Sequence, residues 1–178
     1  NAIEKSEMQQ ALVYLLQAYK ISKAQKLKDL ESNVLNNIGL VYRNIGSNRK
    51  ALEYYLRSAA IINDSLKDAN TFNNIGLCYS DMDDEVNAFK YFNKSLRISR
   101  ITKNEINEAN VLCNIADIQF RKGDFKTAKE NYLLGNQIFS KLKNNQGYSY
   151  SSNKIALCLK QENDIKNSIL WSLKCLRV

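Results

Sequence analysis

A seven-residue segment returns along this chain and constrains its fold more than any other feature. Residues 36–42 read NNIGLVY, and residues 73–79 read NNIGLCY. Weaker copies begin at Cys113 and Asn153, so successive copies start 37, 40 and 40 residues apart. A fixed period in this range is typical of a solenoid, because each unit buries its apolar face only by stacking on its neighbours. The repeat therefore predicts a stack of similar units.

Each copy of the segment is followed by a second helical pattern at a fixed offset. In the first repeat the small residues are Gly39 and Ala51, and the aromatic residues are Tyr42 and Tyr55. Small residues allow two helices to approach closely, and the aromatic side chains fill the gaps beside them. Proline is absent from the chain and glycine is scarce, which also favours helices. The pattern predicts an all-α fold of antiparallel helix pairs.

These positions resemble the tetratricopeptide repeat (TPR) family. The family pattern of a Leu-Gly pair, Tyr, Ala, Phe and Ala is matched here by Ile38, Gly39, Tyr42, Ala51, Tyr55 and Ser58. The resemblance implies a right-handed solenoid. The usual Trp and Pro are missing, and the period exceeds the family's usual length of about 34 residues. Longer units of this kind resemble those of kinesin light chains and of bacterial sensor and regulator proteins.

The repeats predict one array over the whole chain. We expect residues 1–27 to form the second helix of a truncated unit, followed by units at residues 28–65, 66–103, 104–146 and 147–178. The segments 63–65 and 144–147 carry the residues expected of turns between units. The chain lacks an initiator Met, so we expect it to be a fragment or a processed chain.

The composition argues against catalysis and metal binding. The chain has no histidine, which excludes Ser/His/Asp and Cys/His catalytic sets and any histidine metal ligand. It carries no glycine-rich phosphate loop, and its four cysteines lack CxxC spacing. We therefore expect no catalytic residue, no metal ligand and no cofactor. Unpaired thiols favour a reducing, cytoplasmic compartment, while a periplasmic sensor region remains open.

The net charge of +8 leaves several partners open. Lys122, Lys126 and Lys129 recur at helical spacing, which is typical of a solvated helix face. The alternative is attraction to an acidic protein, an anionic membrane or nucleic acid. No nucleic-acid motif accompanies the charge, so a nucleic-acid-associated regulator is the third hypothesis. No apolar run reaches the roughly 20 residues that a membrane-spanning helix needs.

The TPR resemblance implies that ligands bind along a concave face formed by the first helix of each unit. An asparagine side chain both donates and accepts hydrogen bonds, so a ladder of them could pair with the backbone of an extended peptide. The predicted set is Asn36, Asn37, Leu40, Arg43, Asn73, Asn74, Leu77, Asn110, Asn114 and Asn153. Two other interpretations of the asparagines remain: an asparagine-rich composition, or a stabilising role between neighbouring units. A clamp for a terminal carboxylate is not expected, because the matching positions lack its basic residues.

The last predicted helix is apolar at its end, with Trp171, Leu173 and Leu176 as the large side chains. Natural repeat arrays carry a polar outer face at their ends. We therefore expect this end to be covered by another chain or by residues outside this sequence, and a self-association module that stacks through this edge is the second functional hypothesis. The first is a non-catalytic module that binds a protein or peptide segment, as the ligand-sensing or scaffold part of a larger signalling protein.

Overall fold

A computed structural model describes residues 2–62 and 69–175, with side chains at residues 7–61 and 69–175. All regular secondary structure in these residues is helical. The helices are α1 (Ala2–Ala24), α2 (Lys28–Asn44), α3 (Asn48–Ile62), α4 (Ala69–Asp81), α5 (Glu85–Thr102), α6 (Glu105–Arg121), α7 (Phe125–Lys141), α8 (Asn145–Gln161) and α9 (Ile165–Cys175). The predicted all-α repeat fold is confirmed. The chain divides into two compact units, Asn1–Ile98 and Ser99–Val178.

In the first unit, the repeated glycine allows a large ring to lie directly on a helix backbone. A Cβ atom added at Gly39 would lie 2.7 Å from Cε1 of Tyr55 on α3. A Cβ atom at Gly76 would lie 2.5 Å from Cδ1 of Phe92 on α5. Tyr55 and Phe92 are fully buried, so these glycines set how closely each helix pair packs.

Beside each of these contacts, two tyrosines close the helix pair. Tyr42 stacks on Tyr54 with ring centroids 5.3 Å apart, and Tyr79 stacks on Tyr91 at 5.5 Å. Offset stacking is a favoured geometry for aromatic pairs. The two stacks occupy the same positions in successive repeats, which is why the sequence period is visible.

In the second unit, alanine takes the place of the repeated glycine. Ala116 is fully buried in a core that includes Tyr132, Ile155 and Cys158. The position of the tyrosine stack holds a polar pair instead: Asn131 Nδ2 donates a hydrogen bond to Gln119 Oε1 at 2.8 Å.

The turns within helix pairs follow a shared capping scheme. Asp124 accepts a hydrogen bond from the backbone N–H of Thr127, and Asp164 accepts one from Asn167, both at 3.2 Å. Each aspartate side chain therefore caps the first turn of the helix that follows it. Gly123 precedes the first cap with φ of +81°, a left-handed conformation that glycine adopts without strain.

The predicted break at residues 144–147 is wrong in its position. Helix α8 begins at Asn145 rather than at Tyr148, so Gly147 lies in the first turn of the helix. Asn144 is the N-cap, and its side chain accepts a hydrogen bond from the backbone N–H of Gly147 at 2.8 Å. The asparagine therefore starts the helix, where the Asn/Gly-rich sequence suggested a longer turn. The predicted turn at residues 63–65 lies outside the described residues.

Candidate functional site

In the first unit, some of the predicted ligand-binding residues connect neighbouring first helices. Asn74 Nδ2 on α4 donates a hydrogen bond to Asn36 Oδ1 on α2 at 3.1 Å. Arg43 Nε on α2 donates to Asp81 Oδ2 on α4 at 2.9 Å. Asn36, Asn74 and Arg43 therefore hold adjacent repeats together, as the stabilising interpretation of the asparagines required.

The other predicted residues of the first unit differ in their access to solvent. Asn37 and Leu40 are exposed on α2, whereas Leu77 on α4 is half-buried. Asn73 is only 9% exposed. A ligand on this face would reach Asn37 and Leu40 most readily.

The second unit contains an open cavity between α6 and α8. Its volume is about 420 Å³, and Phe139 of α7 forms part of its wall. The remaining lining residues are Ile106, Asn110, Cys113, Asn114, Asn144, Gln146, Gly147 and Tyr150. Four of these nine residues carry side-chain amides and none carries a charged group. The cavity therefore offers hydrogen-bond donors and acceptors beside apolar surface.

Two predicted ligand-binding residues, Asn110 and Asn114, lie in this cavity. They are four residues apart on α6, so both side chains lie on one face of the helix. Asn153 is exposed on α8 but does not line the cavity. The structure thus brings two of the predicted residues together with a tyrosine, Tyr150, that was not predicted.

A polar network borders the cavity. The hydroxyl of Tyr132 on α7 donates to Asp117 Oδ1 at 2.6 Å, and the hydroxyl of Tyr150 on α8 donates to Asp117 Oδ2 at 2.5 Å. Lys154 Nζ lies 2.7 Å from Asp117 Oδ1. The Lys154 ammonium also lies over the Tyr150 ring, 5.3 Å from its centroid. One carboxylate therefore fixes side chains from two other helices.

Burial sets the ionisation of this region. It raises the pKa of the Tyr132 and Tyr150 hydroxyls, and the hydrogen bonds to Asp117 raise both further. Burial also raises the pKa of the Cys113 thiol to about 12. All three groups are therefore neutral near pH 7, and the cavity wall presents protonated donors rather than nucleophiles.

The sequence offered one signal for this network. Asp117 stands where other repeats carry Leu40, Leu77 and Leu157. A lone carboxylate at an otherwise apolar position requires partners, which this position finds in Tyr132, Tyr150 and Lys154.

The predicted self-association edge lies on α9. Trp171 is half-buried against the core of the second unit, and Leu173 is 47% exposed. Leu176 lies outside the described residues. No group of acidic or cysteine side chains suited to a metal ion occurs in the part of the chain that the structure describes. Within that part, no helix is both long and apolar enough to cross a membrane.

Two family models match the sequence, and both describe a tetratricopeptide repeat. They match residues 67–134 and residues 32–64, which together make up more than half of the chain. The chain belongs to the tetratricopeptide repeat family. The resemblance noted in the sequence is confirmed, and with it the protein-interaction scaffold that is typical of these repeats.

Solved structures share this TPR fold. BtubC (BKLC) from P. vanneervenii gives a TM-score of 0.85 at 18% identity, covering 98% of this chain and 74% of that chain. The apo form of RapI gives 0.79 at 16% identity, covering 94% and 48%. TPR-like repeats of a Podosopora anserina kinesin light chain give 0.74 at 14% identity, covering 97% and 86%. At these identities the likeness shows the fold alone. No curated protein sequence matches significantly.

Proposed function

We propose that this TPR array is a non-catalytic module that binds an extended peptide segment of a partner protein in the cavity between α6 and α8. The observation that carries the proposal is the composition of the cavity wall, which combines four amide side chains with Ile106, Phe139 and Tyr150. Amide side chains match the alternating donors and acceptors of a peptide backbone. The apolar residues match one uncharged side chain of that peptide.

Charge supports an uncharged ligand residue at this position. Asp117 and Lys154, which belong to the network beside the cavity, are paired with each other at 2.7 Å. A ligand carboxylate or ammonium in the cavity would lose hydration without gaining a free counter-charge there. The peptide residue that enters is therefore aliphatic or aromatic, and its flanking backbone amides pair with Asn110 and Asn114.

The wider role that we propose is the ligand-sensing or scaffold part of a larger signalling protein. The long repeat units, which start 37 to 40 residues apart and resemble those of bacterial sensor and regulator proteins, are the basis for this role. A scaffold of this kind needs no chemistry of its own, which agrees with the absence of histidine from the sequence.

A peptide selection tests the site. Dodecapeptides selected from a random display library on the immobilised array would be labelled, and their affinities measured by fluorescence anisotropy. Each amide–backbone hydrogen bond contributes about 0.5–1.5 kcal/mol, so Asn110→Ala combined with Asn114→Ala should weaken binding by about 5-fold to 150-fold. Asn145→Ala is the matched control, since Asn145 is exposed on α8 and does not line the cavity.

The same selection can reject the proposal. Selected peptides that bind the double variant as tightly as the original chain would place the ligand elsewhere. Circular dichroism of each variant would confirm that the helices remain intact.

A further inference from the structure

Three residues of the second unit differ from their counterparts in the other repeats, and all three contact one another. Asp117 on α6 occupies a position that is leucine in the other three repeats. Tyr150 and Lys154 on α8 occupy two positions that are asparagine in the other three. The counterparts are Leu40, Leu77 and Leu157 for Asp117, Asn33, Asn70 and Asn110 for Tyr150, and Asn37, Asn74 and Asn114 for Lys154.

The contacts among these three residues run between α6 and α8. The Tyr150 hydroxyl donates to Asp117 Oδ2 at 2.5 Å, and Lys154 Nζ lies 2.7 Å from Asp117 Oδ1. The Lys154 ammonium also lies 5.3 Å from the centroid of the Tyr150 ring. The three departures from the repeat therefore form one connected arrangement.

This arrangement replaces an amide bridge that the first unit uses between its first helices. There, Asn74 on α4 donates to Asn36 on α2 at 3.1 Å. The counterparts of Asn74 and Asn36 are Lys154 and Cys113. Lys154 pairs with Asp117 instead, and Cys113 is part of the cavity wall.

Tyr150 is the member of this network that lines the cavity. Asp117, Lys154 and Tyr132 do not line it. Asp117 can therefore act on a ligand in the cavity only through the Tyr150 side chain that it holds. Because the Tyr150 hydroxyl donates to Asp117, the side chain offers the ligand its ring, and the residue is 42% exposed.

We propose that Asp117 is a positioning residue of the peptide site between α6 and α8, a role that rests on the proposed function. Asp117 fixes the Tyr150 hydroxyl, and the Lys154 ammonium contacts the Tyr150 ring. The ring is thereby ordered before the peptide arrives. The peptide's apolar residue packs on a preformed wall, so binding does not have to order this side chain.

A network that served only the fold would behave differently. Both tyrosine hydroxyls donate to the same carboxylate, Tyr132 to Oδ1 and Tyr150 to Oδ2. If the carboxylate only stabilised the fold, removing either hydroxyl would lower stability and would leave peptide affinity unchanged. A positioning role requires the Tyr150 hydroxyl to matter more for peptide affinity than the Tyr132 hydroxyl.

The test measures the affinity of the selected dodecapeptides for variants of the full chain by fluorescence anisotropy. Tyr150→Phe keeps the ring that lines the cavity and removes its hydrogen bond to Asp117. It should weaken binding by about 2-fold to 10-fold, the ordering cost of one side chain. Tyr148→Phe is the matched control, since Tyr148 is half-buried on the same helix and does not line the cavity, and it should leave the affinity unchanged.

A double variant tests whether Asp117 acts through Tyr150. Asp117→Leu introduces the residue of the other repeats and removes the same hydrogen bond. In that background, Tyr150→Phe should cause no further loss of affinity. Tyr132→Phe should weaken binding less than Tyr150→Phe, because the contacts of Asp117 with Tyr150 and Lys154 remain. Circular dichroism would confirm that each variant is folded under the binding conditions.

The asparagine variants distinguish failure of this role from failure of the site itself. The positioning role is overturned if Asn110→Ala with Asn114→Ala weakens binding but Tyr150→Phe does not. It is also overturned if Tyr150→Phe weakens binding equally with and without Asp117→Leu. If no dodecapeptide is selected, or if the double asparagine variant binds as tightly as the original chain, the proposed function fails and the positioning role fails with it.

Discussion

One substitution, tyrosine to phenylalanine, should have opposite effects at two equivalent positions of this array. Tyr55 and Tyr132 occupy the same place in different repeats, and both are fully buried. The Tyr55 hydroxyl is buried without a hydrogen-bond partner. The Tyr132 hydroxyl donates to Asp117 at 2.6 Å. The difference follows from the first helix of each pair, because Asp117 accepts from Tyr132 and the equivalent position of the earlier repeat is Leu40, which has no polar side chain.

The expected magnitudes follow from these contacts. An unpaired buried hydroxyl costs about 1–3 kcal/mol, so Tyr55→Phe should raise the free energy of unfolding by about 1 kcal/mol. A hydrogen bond to a charged group contributes about 1.5–3 kcal/mol, so Tyr132→Phe should lower it by about 2 kcal/mol. The ring of each tyrosine is retained, so neither change opens a cavity.

A double variant tests the cause. Asp117→Leu recreates the Leu40–Tyr55 arrangement in the second unit and leaves the Tyr132 hydroxyl unpaired. In that background, Tyr132→Phe should stabilise the chain, because the pair then matches Leu77 and Phe92 of another repeat. The sign of one substitution therefore changes with the residue across from it.

The assay is urea unfolding followed by helical circular dichroism, with hydrogen exchange to locate the affected repeats. Hydrogen exchange is needed because repeat arrays can lose all-or-none unfolding. Equal signs for Tyr55→Phe and Tyr132→Phe, or further destabilisation by Tyr132→Phe in the Asp117→Leu background, would refute the reasoning.

Two further predictions concern the core of the second unit. Burial raises the pKa of the Cys113 thiol to about 12 and that of Cys158 to about 11. Thiols in the unfolded chain ionise near pH 8.5, whereas the buried thiols stay protonated. The free energy of unfolding should therefore fall from about pH 9 upward, by about 1.4 kcal/mol per pH unit for each thiol. Urea unfolding of the chain and of its Cys→Ala variants at several pH values measures this slope. Asn136→Ala should lower the free energy of unfolding by about 2–3 kcal/mol, because the buried amide donates to Tyr148 O, Ser151 Oγ and Ser152 Oγ. Ser140→Ala, at an exposed position of the same helix, should change it little, and equal effects of the two substitutions would contradict the prediction.

The helical repeat was predictable because each unit reuses the same contacts. Gly39 with Tyr55 and Gly76 with Phe92 are copies of one packing solution, so their spacing alone indicated helix pairs. Helix boundaries were harder to predict where the same residue types are common both in turns and at helix starts. Asn144 is the example, since an Asn/Gly-rich stretch describes a turn as well as a capped helix start.

The site was only partly predictable, because the sequence does not show which side chains satisfy one another. The asparagines predicted to bind a ligand look alike in sequence, yet Asn36 and Asn74 form a hydrogen bond with each other while Asn110 lines a cavity. The partners of Asp117 come from α7 and α8, at separations that depend on tertiary packing. Periodicity identifies equivalent positions, but the residues at equivalent positions can make different contacts.

Departures from the repeat are therefore the basis on which we propose the site in the second unit. The second unit replaces a leucine by Asp117 and a tyrosine stack by Gln119 and Asn131. Both changes exchange apolar packing for hydrogen bonds of fixed geometry. The Asp117 network holds Tyr150 in place at the cavity wall, so the proposed peptide would meet a side chain that is already ordered in the folded chain. Another repeat carries Leu77 and Phe92 at the equivalent positions and forms its helix pair without carboxylate–tyrosine hydrogen bonds there. This contrast is the reason to look for a ligand at α6 and α8.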